Sequence, residues 1–434
     1  MKYTLLIFLA ISMLTLNSCQ PKYEMPEVTA GETVPSKFVM IGGTFSSGYT
    51  DDALYFEGQQ NSIGYYISQS LNNAGLSLFN QPLVSEGSVG LSTTGLSRLI
   101  LGYKTDCLNI TSLSPVRETT MGDASILNTI YSGIPYNNMG IPGLRLTDLS
   151  NSSYANENPY YSRMASSAGA TVLSDITSVN ASLFSVFIGL DDFMPYIKSG
   201  AKEDSLPHLT VFENAYRELI YAMTLNGAKG VISTIPDPTS SPYFTTIPWN
   251  GLTLDSANNA TLNNIYNPLG FYFEIGSNPF MIEDPAANNI FGVRPMVEEE
   301  LMLLSVPLDS VKCHKMGTLY PLRNEFILTN SELDEIRTRI SEVNSIIRSI
   351  ASEFNLALVE ADVFFADLES GFAYNGINMG PAFISGGAYG LDGLRFNART
   401  NALFANQFIR AINNKYNATF PEVNASNLDS AFFP

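Results

Sequence analysis

Histidine is almost absent from this chain. Only His208 and His314 occur in 434 residues, so chemistry that needs imidazole as a base or metal ligand has little to draw on. Basic residues are also few: 23 lysines and arginines stand against 41 acidic residues, a formal net charge of -18. Such a balance repels phosphate backbones, and a nucleic-acid partner is excluded. Past the N-terminus there is no run of eighteen or more apolar residues, so no helix of the mature chain is expected to span a bilayer. Cysteine is limited to three residues, and charged residues of both signs make up only 15%. The 45% hydrophobic content is enough for a sizeable core and excludes disordered, collagen-like and coiled-coil classes. The length favours two or three domains, with one large α/β domain carrying insertions also open.

The one concentrated apolar stretch is Tyr3 to Leu16, behind Met1-Lys2 and ahead of Leu16-Asn17-Ser18-Cys19. It is short for a membrane span. The pattern resembles a bacterial lipoprotein signal, which implies cleavage after residue 18 and lipidation of Cys19. Two or three acyl chains hold a protein durably to a membrane, since each buried methylene contributes about 0.8 kcal/mol. Residues 19–36, polar and with three prolines, then read as a tether. An exported compartment is oxidising, and Cys107 and Cys313 are able to form one disulfide there. The Cys313-His314 pair has no second ligand at a zinc-like spacing, so no metal is expected, nor any cofactor.

Along the rest, Lys37 to Ile41 reads as a buried strand entering Gly42-Gly43, Ser62 to Leu71 as a helix, and Leu183 to Ile188 as a second strand. Val211 to Asn226 reads as an amphipathic helix closed by Gly227, followed by a strand over Gly230 to Ile235. Thr329 and Glu332 have capping-box spacing before an apolar stripe from Leu333 to Ile350. Leu356 to Val359 is a further strand and Asn401 to Tyr416 the closing helix. Strands alternating with helices predict a parallel sheet covered by helices. The expected domain runs over 37–418, with an insertion at about 251–328 and a C-terminal tail over 419–434. The loop Tyr243-Phe244 through Trp249 reads as packing over the sheet edge, with a lipid or glycan site as the alternative.

Four marked turns carry the functional signal: Gly42-Gly43-Thr44-Phe45-Ser46-Ser47-Gly48-Tyr49, Asn138-Met139-Gly140-Ile141-Pro142-Gly143, Gly189-Leu190-Asp191-Asp192 and Leu391-Asp392-Gly393-Leu394-Arg395. In this order they resemble the four blocks of the SGNH (GDSL-type) hydrolases, nearest to the exported GDSL lipoproteins of Bacteroidetes. Asp51 to Tyr55, Gly227 to Asn250 and Gly386 to Asn406 share the likeness. The resemblance implies a three-layer αβα fold with a central parallel sheet. It also implies a serine nucleophile in the first block, oxyanion donors from the glycine of the second and the asparagine of the third, and an aspartate and histidine in the last.

Matched position by position, the nucleophile site holds Thr44, whose β-branch stiffens the side chain. Gly140 is taken as the second-block donor. The asparagine site holds Asp191, which as a carboxylate accepts and cannot donate. Asp392 is kept, and the histidine site holds Arg395, which stays protonated. Ser46 and Ser47 are expected to bond the turn. Arg395 is expected to pair with Asp191, Asp392 or both, with the grip of an anionic carboxylate or phosphate ligand as the alternative.

These substitutions predict a lipid-anchored outer-membrane lipoprotein with degenerate catalytic positions that binds a ligand, such as a lipid or acyl ester, or a protein partner. The alternatives are an active esterase or lipase working through Thr44, and a structural subunit of an outer-membrane complex. Aspartate-serine tripeptides at Asp204, Asp255, Asp309 and Asp429 resemble an O-glycosylation sequon.

Overall fold

The computed structural model describes residues 27–429; the signal segment, Cys19 and residues 430–434 lie outside the described residues. Five strands form the central sheet: β1 (Phe38–Gly42), β2 (Asn138–Gly140), β3 (Leu183–Phe187), β4 (Lys229–Ser233) and β5 (Ala357–Val359). They lie in the order β5-β4-β3-β1-β2, all parallel. Every residue of β1 and β3 is buried, because both faces of a parallel sheet are covered, and this is why the sequence shows continuous apolar runs instead of alternation.

Five helices do the covering: α1 (Ile63–Leu71), α2 (Val172–Ser178), α3 (Leu209–Thr224), α4 (Asn330–Glu353) and α5 (Ala398–Tyr416). α1 packs on α5, while α3 packs on α2 and α4. Both α4 and α5 touch β4 and β5, so the two groups enclose the sheet as an αβα sandwich. Four of the five begin at a side-chain cap, α3 behind His208 being the exception. Ser62 accepts from the Tyr65 N–H ahead of α1, and Asn397 accepts from the Thr400 N–H, which starts α5 at Ala398, three residues earlier than the apolar spacing implied. Thr329 and Glu332 make the reciprocal capping box, and the stripe Leu333, Ile336, Ile340, Val343, Ile347 and Ile350 is buried.

Between β1 and β2 the chain makes a hairpin that periodicity did not reveal, Leu99–Thr105 against Thr111–Arg117, in seven antiparallel pairs. Its outer ends are exposed, so no apolar face marks it in the sequence. The segment expected as an insertion folds as a lobe. It contains the helix Ser256–Tyr266 and three short two-stranded pairings, and it has small apolar clusters of its own around Phe280, Ile282 and Met302 and around Leu262, Tyr266 and Phe273. Cys107 of the hairpin is disulfide-bonded to Cys313 of the lobe. Trp249 packs against the lobe's first cluster and Phe244 is fully buried in the main core.

Packing extends past both expected limits of the domain. The Glu32 N–H donates to the Tyr416 carbonyl at 2.7 Å and the Thr419 N–H to the Thr29 carbonyl at 3.0 Å; Phe420 and Ala425 are buried. Polar terminal segments can thus be held by pairing their backbone groups with one another. Among the described residues no helix is long and apolar enough to cross a membrane.

Candidate functional site

Strand order reverses between β1 and β3, and in open α/β sheets a crevice forms outside the carboxyl ends of the strands at such a switch point. Here β1 runs into the turn Thr44–Ser46 and β3 into the turn Leu190–Asp192. Above them opens a cleft of about 730 Å³ lined by Thr44, Tyr49, Gly143, Asp191, Lys198 and Arg395 among others. Three of the five positions singled out in the sequence, Thr44, Asp191 and Arg395, therefore meet in one cavity.

The floor is closed on itself. The Asp191 carboxylate accepts from the Thr44 backbone N–H at 2.7 Å and from the Thr44 hydroxyl at 2.5 Å. Gly43 permits this approach, since a Cβ there would stand 1.9 Å from the Asp191 Oδ2. The Gly143 N–H in turn donates to the Thr44 Oγ1 at 2.9 Å. Burial holds the Asp191 carboxyl above the usual carboxylate range despite the two Thr44 hydrogen bonds. Its neighbour Asp192, buried and accepting only from the Leu146 N–H at 3.1 and 3.2 Å, is pushed up to about 8 by desolvation.

Gly140 does not have the role assigned to it. Its N–H donates to the Asn138 side chain at 3.1 Å, and its Cα faces the backbone of Ser46 and Ser47, where a Cβ would meet atoms at 2.5 Å. Gly140 lets β2 pack against the turn, and Gly143, three residues on, presents the N–H at the cleft. Both glycines lie in the same block, and the sequence had no means to rank them. Ser47 bonds the turn as expected, donating to the Thr44 carbonyl, whereas Ser46 donates to the carbonyl of Phe187 at the end of β3 and ties the turn to the neighbouring strand.

On the opposite wall, Asp392 accepts from the backbone N–H groups of Asp52, Leu394 and Arg395. The Arg395 guanidinium reaches Asp392 at 3.4 Å with its side chain 12% exposed. Of the partners expected for Arg395, Asp392 is the one it meets; no ion pair with Asp191 forms among the described residues, and there Thr44 engages both carboxylate oxygens. Arg395 instead lies over the Tyr49 ring at 5.0 Å, and its Nε is buried without a partner. Burial opposes its charge, but Asp392, Tyr49, Asp52 and Asp191 outweigh that and hold its proton more tightly than usual. It cannot serve as a base.

Lys198, which sequence reading missed, sits 5.7 Å from the Tyr243 ring centre. The cleft walls and the Arg395 charge lower its affinity for a proton. Its only sequence signal was its position seven residues after Asp191. Both histidines are exposed and neither lines the cleft: His208 precedes α3 and His314 ends a lobe helix. Among the described residues, no group of three or more His, Cys, Asp or Glu side chains is placed to hold a metal; Cys313 is committed to its disulfide.

No protein-family model matches the chain, and no curated protein matches it. Among solved structures it is similar to LAE5, an alpha/beta hydrolase enzyme from the metagenome of Lake Arreo, at 10% identity and a TM-score of 0.37, covering 88% of this chain and 96% of that one. It is also similar to a lipase/acylhydrolase from Enterococcus faecalis at 10% identity and TM-score 0.33, covering 89% and 99%. A third similarity is to a protein described as a GDSL-like lipase from Parabacteroides merdae, at 12% identity and TM-score 0.32, covering 88% and 97%. Likeness at this level carries no argument of its own, and the α/β architecture rests on the strand order and register given above.

Proposed function

We propose that this protein is a lipid-anchored, exported binding protein on an SGNH-hydrolase-like scaffold, whose cleft holds a ligand without cleaving it. The observation that carries this reading is the Asp191 carboxylate lying on the Thr44 N–H and hydroxyl at 2.7 and 2.5 Å. Acyl transfer needs donors aimed at the developing oxyanion, and here the Thr44 N–H is already taken by a carboxylate and the Gly143 N–H by the Thr44 hydroxyl oxygen. The position opposite holds a guanidinium where a base is needed. Cys19 is the proposed acylation site, the outer membrane the proposed location, and an outer-membrane protein a proposed partner.

A second reading is supported by one contact. The Thr44 hydroxyl donates to a carboxylate whose proton affinity is raised by burial, which is the layout of a nucleophile with an aspartate base. Hydrolysis of acyl esters from acetyl to long-chain by the soluble protein lacking residues 1–19 separates the two. The binding reading expects no turnover by the parent, and turnover in the Thr44→Ser, Asp191→Asn, Arg395→His triple variant, which restores nucleophile, donor and base together. Turnover by the parent that is lost in both Thr44→Ala and Asp191→Asn would establish the second reading instead. Radiolabelled fatty acid incorporated by the full-length chain and not by Cys19→Ala tests the anchor.

A further inference from the structure

We infer that the cleft wall carries a carboxylate-binding subsite formed by Arg395 and Lys198, so that the ligand of the binding reading, on which this inference rests, is an organic monocarboxylate. In a chain of net charge -18, four cations, Arg145, Lys198, Lys202 and Arg395, line this one cavity. Two of them are spent on close ion pairs: Arg145 with Asp204 at 2.7 Å and Lys202 with Glu332 at 2.6 Å.

The other two are not. Among the described residues Arg395 has a single carboxylate contact, at 3.4 Å, and a buried Nε with no partner. Lys198 is exposed to the cleft, and among the described residues no carboxylate lies within ion-pair distance of its ammonium. Each cation faces a tyrosine ring, Tyr49 or Tyr243, at 5.0 and 5.7 Å, which attracts the charge without neutralising it.

The surroundings select the charge of the guest. Asp191, Asp392 and Asp52 all act on Arg395 and Lys198 through space, and Glu203 and Glu325 also line the cavity; carboxylates outnumber these two cations, so the net repulsion on a dianion is twice that on a monoanion, while the under-used guanidinium fork offers each the same hydrogen bonds. A carboxylate satisfies this; a phosphate monoester, mostly dianionic at pH 7, does so less well. The remaining wall offers hydroxyls from Thr93 and Ser305 and apolar surface from Met194 and Phe326, suited to a sugar acid or to an acyl acid.

Isothermal titration of the mature chain with glucuronate, hexanoate, glucose, methyl hexanoate and glucose 6-phosphate tests this. One or both carboxylates are expected to bind at least about tenfold more tightly than the neutral compounds and the phosphate. Lys198→Gln and Arg395→Gln are each expected to weaken that binding by about tenfold or more. Preference for glucuronate assigns a sugar acid, and preference for hexanoate an acyl acid. Lys198 is exposed, so its variant keeps the test standing even if Arg395→Gln fails to fold. Failure of both carboxylates to bind, equal binding of the neutral compounds, tighter binding of the phosphate, or unchanged affinity in Lys198→Gln overturns the inference. Neutral compounds binding well would leave the binding reading intact, whereas methyl hexanoate hydrolysis lost in Thr44→Ala would overturn that reading itself.

Discussion

The floor and the wall of the cleft are built differently. The floor comes from turns at the ends of β1, β2 and β3, where Thr44, Gly143 and Asp191 satisfy one another within 2.9 Å. The wall comes from segments distant in sequence, the Asp392–Arg395 turn and the lobe that supplies Ser305 and Phe326; the hairpin braces it from outside the cleft, since its Arg117 pairs with Asp52 at 2.5 Å and the Asp52 N–H donates to Asp392. On the floor polar groups are used up; on the wall positive charge is under-used. This contrast between a self-satisfied floor and an under-used wall is what the proposed binding reading rests on.

The largest expected effect falls on the wall. Replacing Cys107 and Cys313 by serine opens a covalent link across 206 residues and should cost about 2–5 kcal/mol in denaturant unfolding. Hydrogen exchange should quicken in the hairpin and the lobe and stay unchanged at the Thr44 amide. Equal loss of protection at that amide would break the distinction between floor and wall.

Thr44→Val tests the floor directly. It strips a hydrogen bond from Asp191 and leaves the Gly143 N–H without its acceptor, and it should cost about 1–3 kcal/mol, while Thr44→Ser should retain most of that. Destabilisation by Thr44→Ser with Thr44→Val left as stable as the parent would mean that the methyl's packing, not the hydroxyl, holds the floor together.

A pH effect of similar origin follows from Asp192. The folded carboxyl keeps its proton up to about pH 8, whereas the unfolded residue releases it near the ordinary aspartate value of 3.8. Between those values unfolding releases a proton, so stability falls as pH rises, by at most about 1.4 kcal/mol per unit, and levels off above about 8. Asp51, pushed up to about 6 by burial, shares the lower part of that window. Between pH 6 and 8 Asp192→Asn should flatten the slope; an unchanged slope would place the titration elsewhere.

The smallest effect is expected at Lys198. It is exposed to the cleft, and Lys198→Gln should change stability by no more than about 0.5 kcal/mol while altering ligand affinity. A large loss of stability would show that the wall's charge is structural and close the contrast with the floor.

What could be read in advance follows from the range of the forces involved. Apolar runs marked β1, β3, β4 and β5 because strands covered on both faces must be hydrophobic throughout. Caps and stripes marked α1, α3, α4 and α5, because a helix records its buried face at a 3.6-residue period. The hairpin left no such trace, being mostly exposed, and the lobe's short strands are two or three residues long. At the site, motif order located Thr44, Asp191 and Arg395, but choosing Gly143 over Gly140 required knowing which N–H points into the cavity.

By itself the sequence determined the class of fold, the order of its strands and helices along the chain, and the residue types available at four turns, since these depend on local propensity and on periodicity. The tertiary structure decided who partners whom. Asp191 meets Thr44 and not Arg395, Cys107 meets Cys313, and Lys198 comes to line the same cleft as Arg395, because each placement is fixed by strand order and by the packing of segments far apart in the chain, over distances that no local pattern encodes.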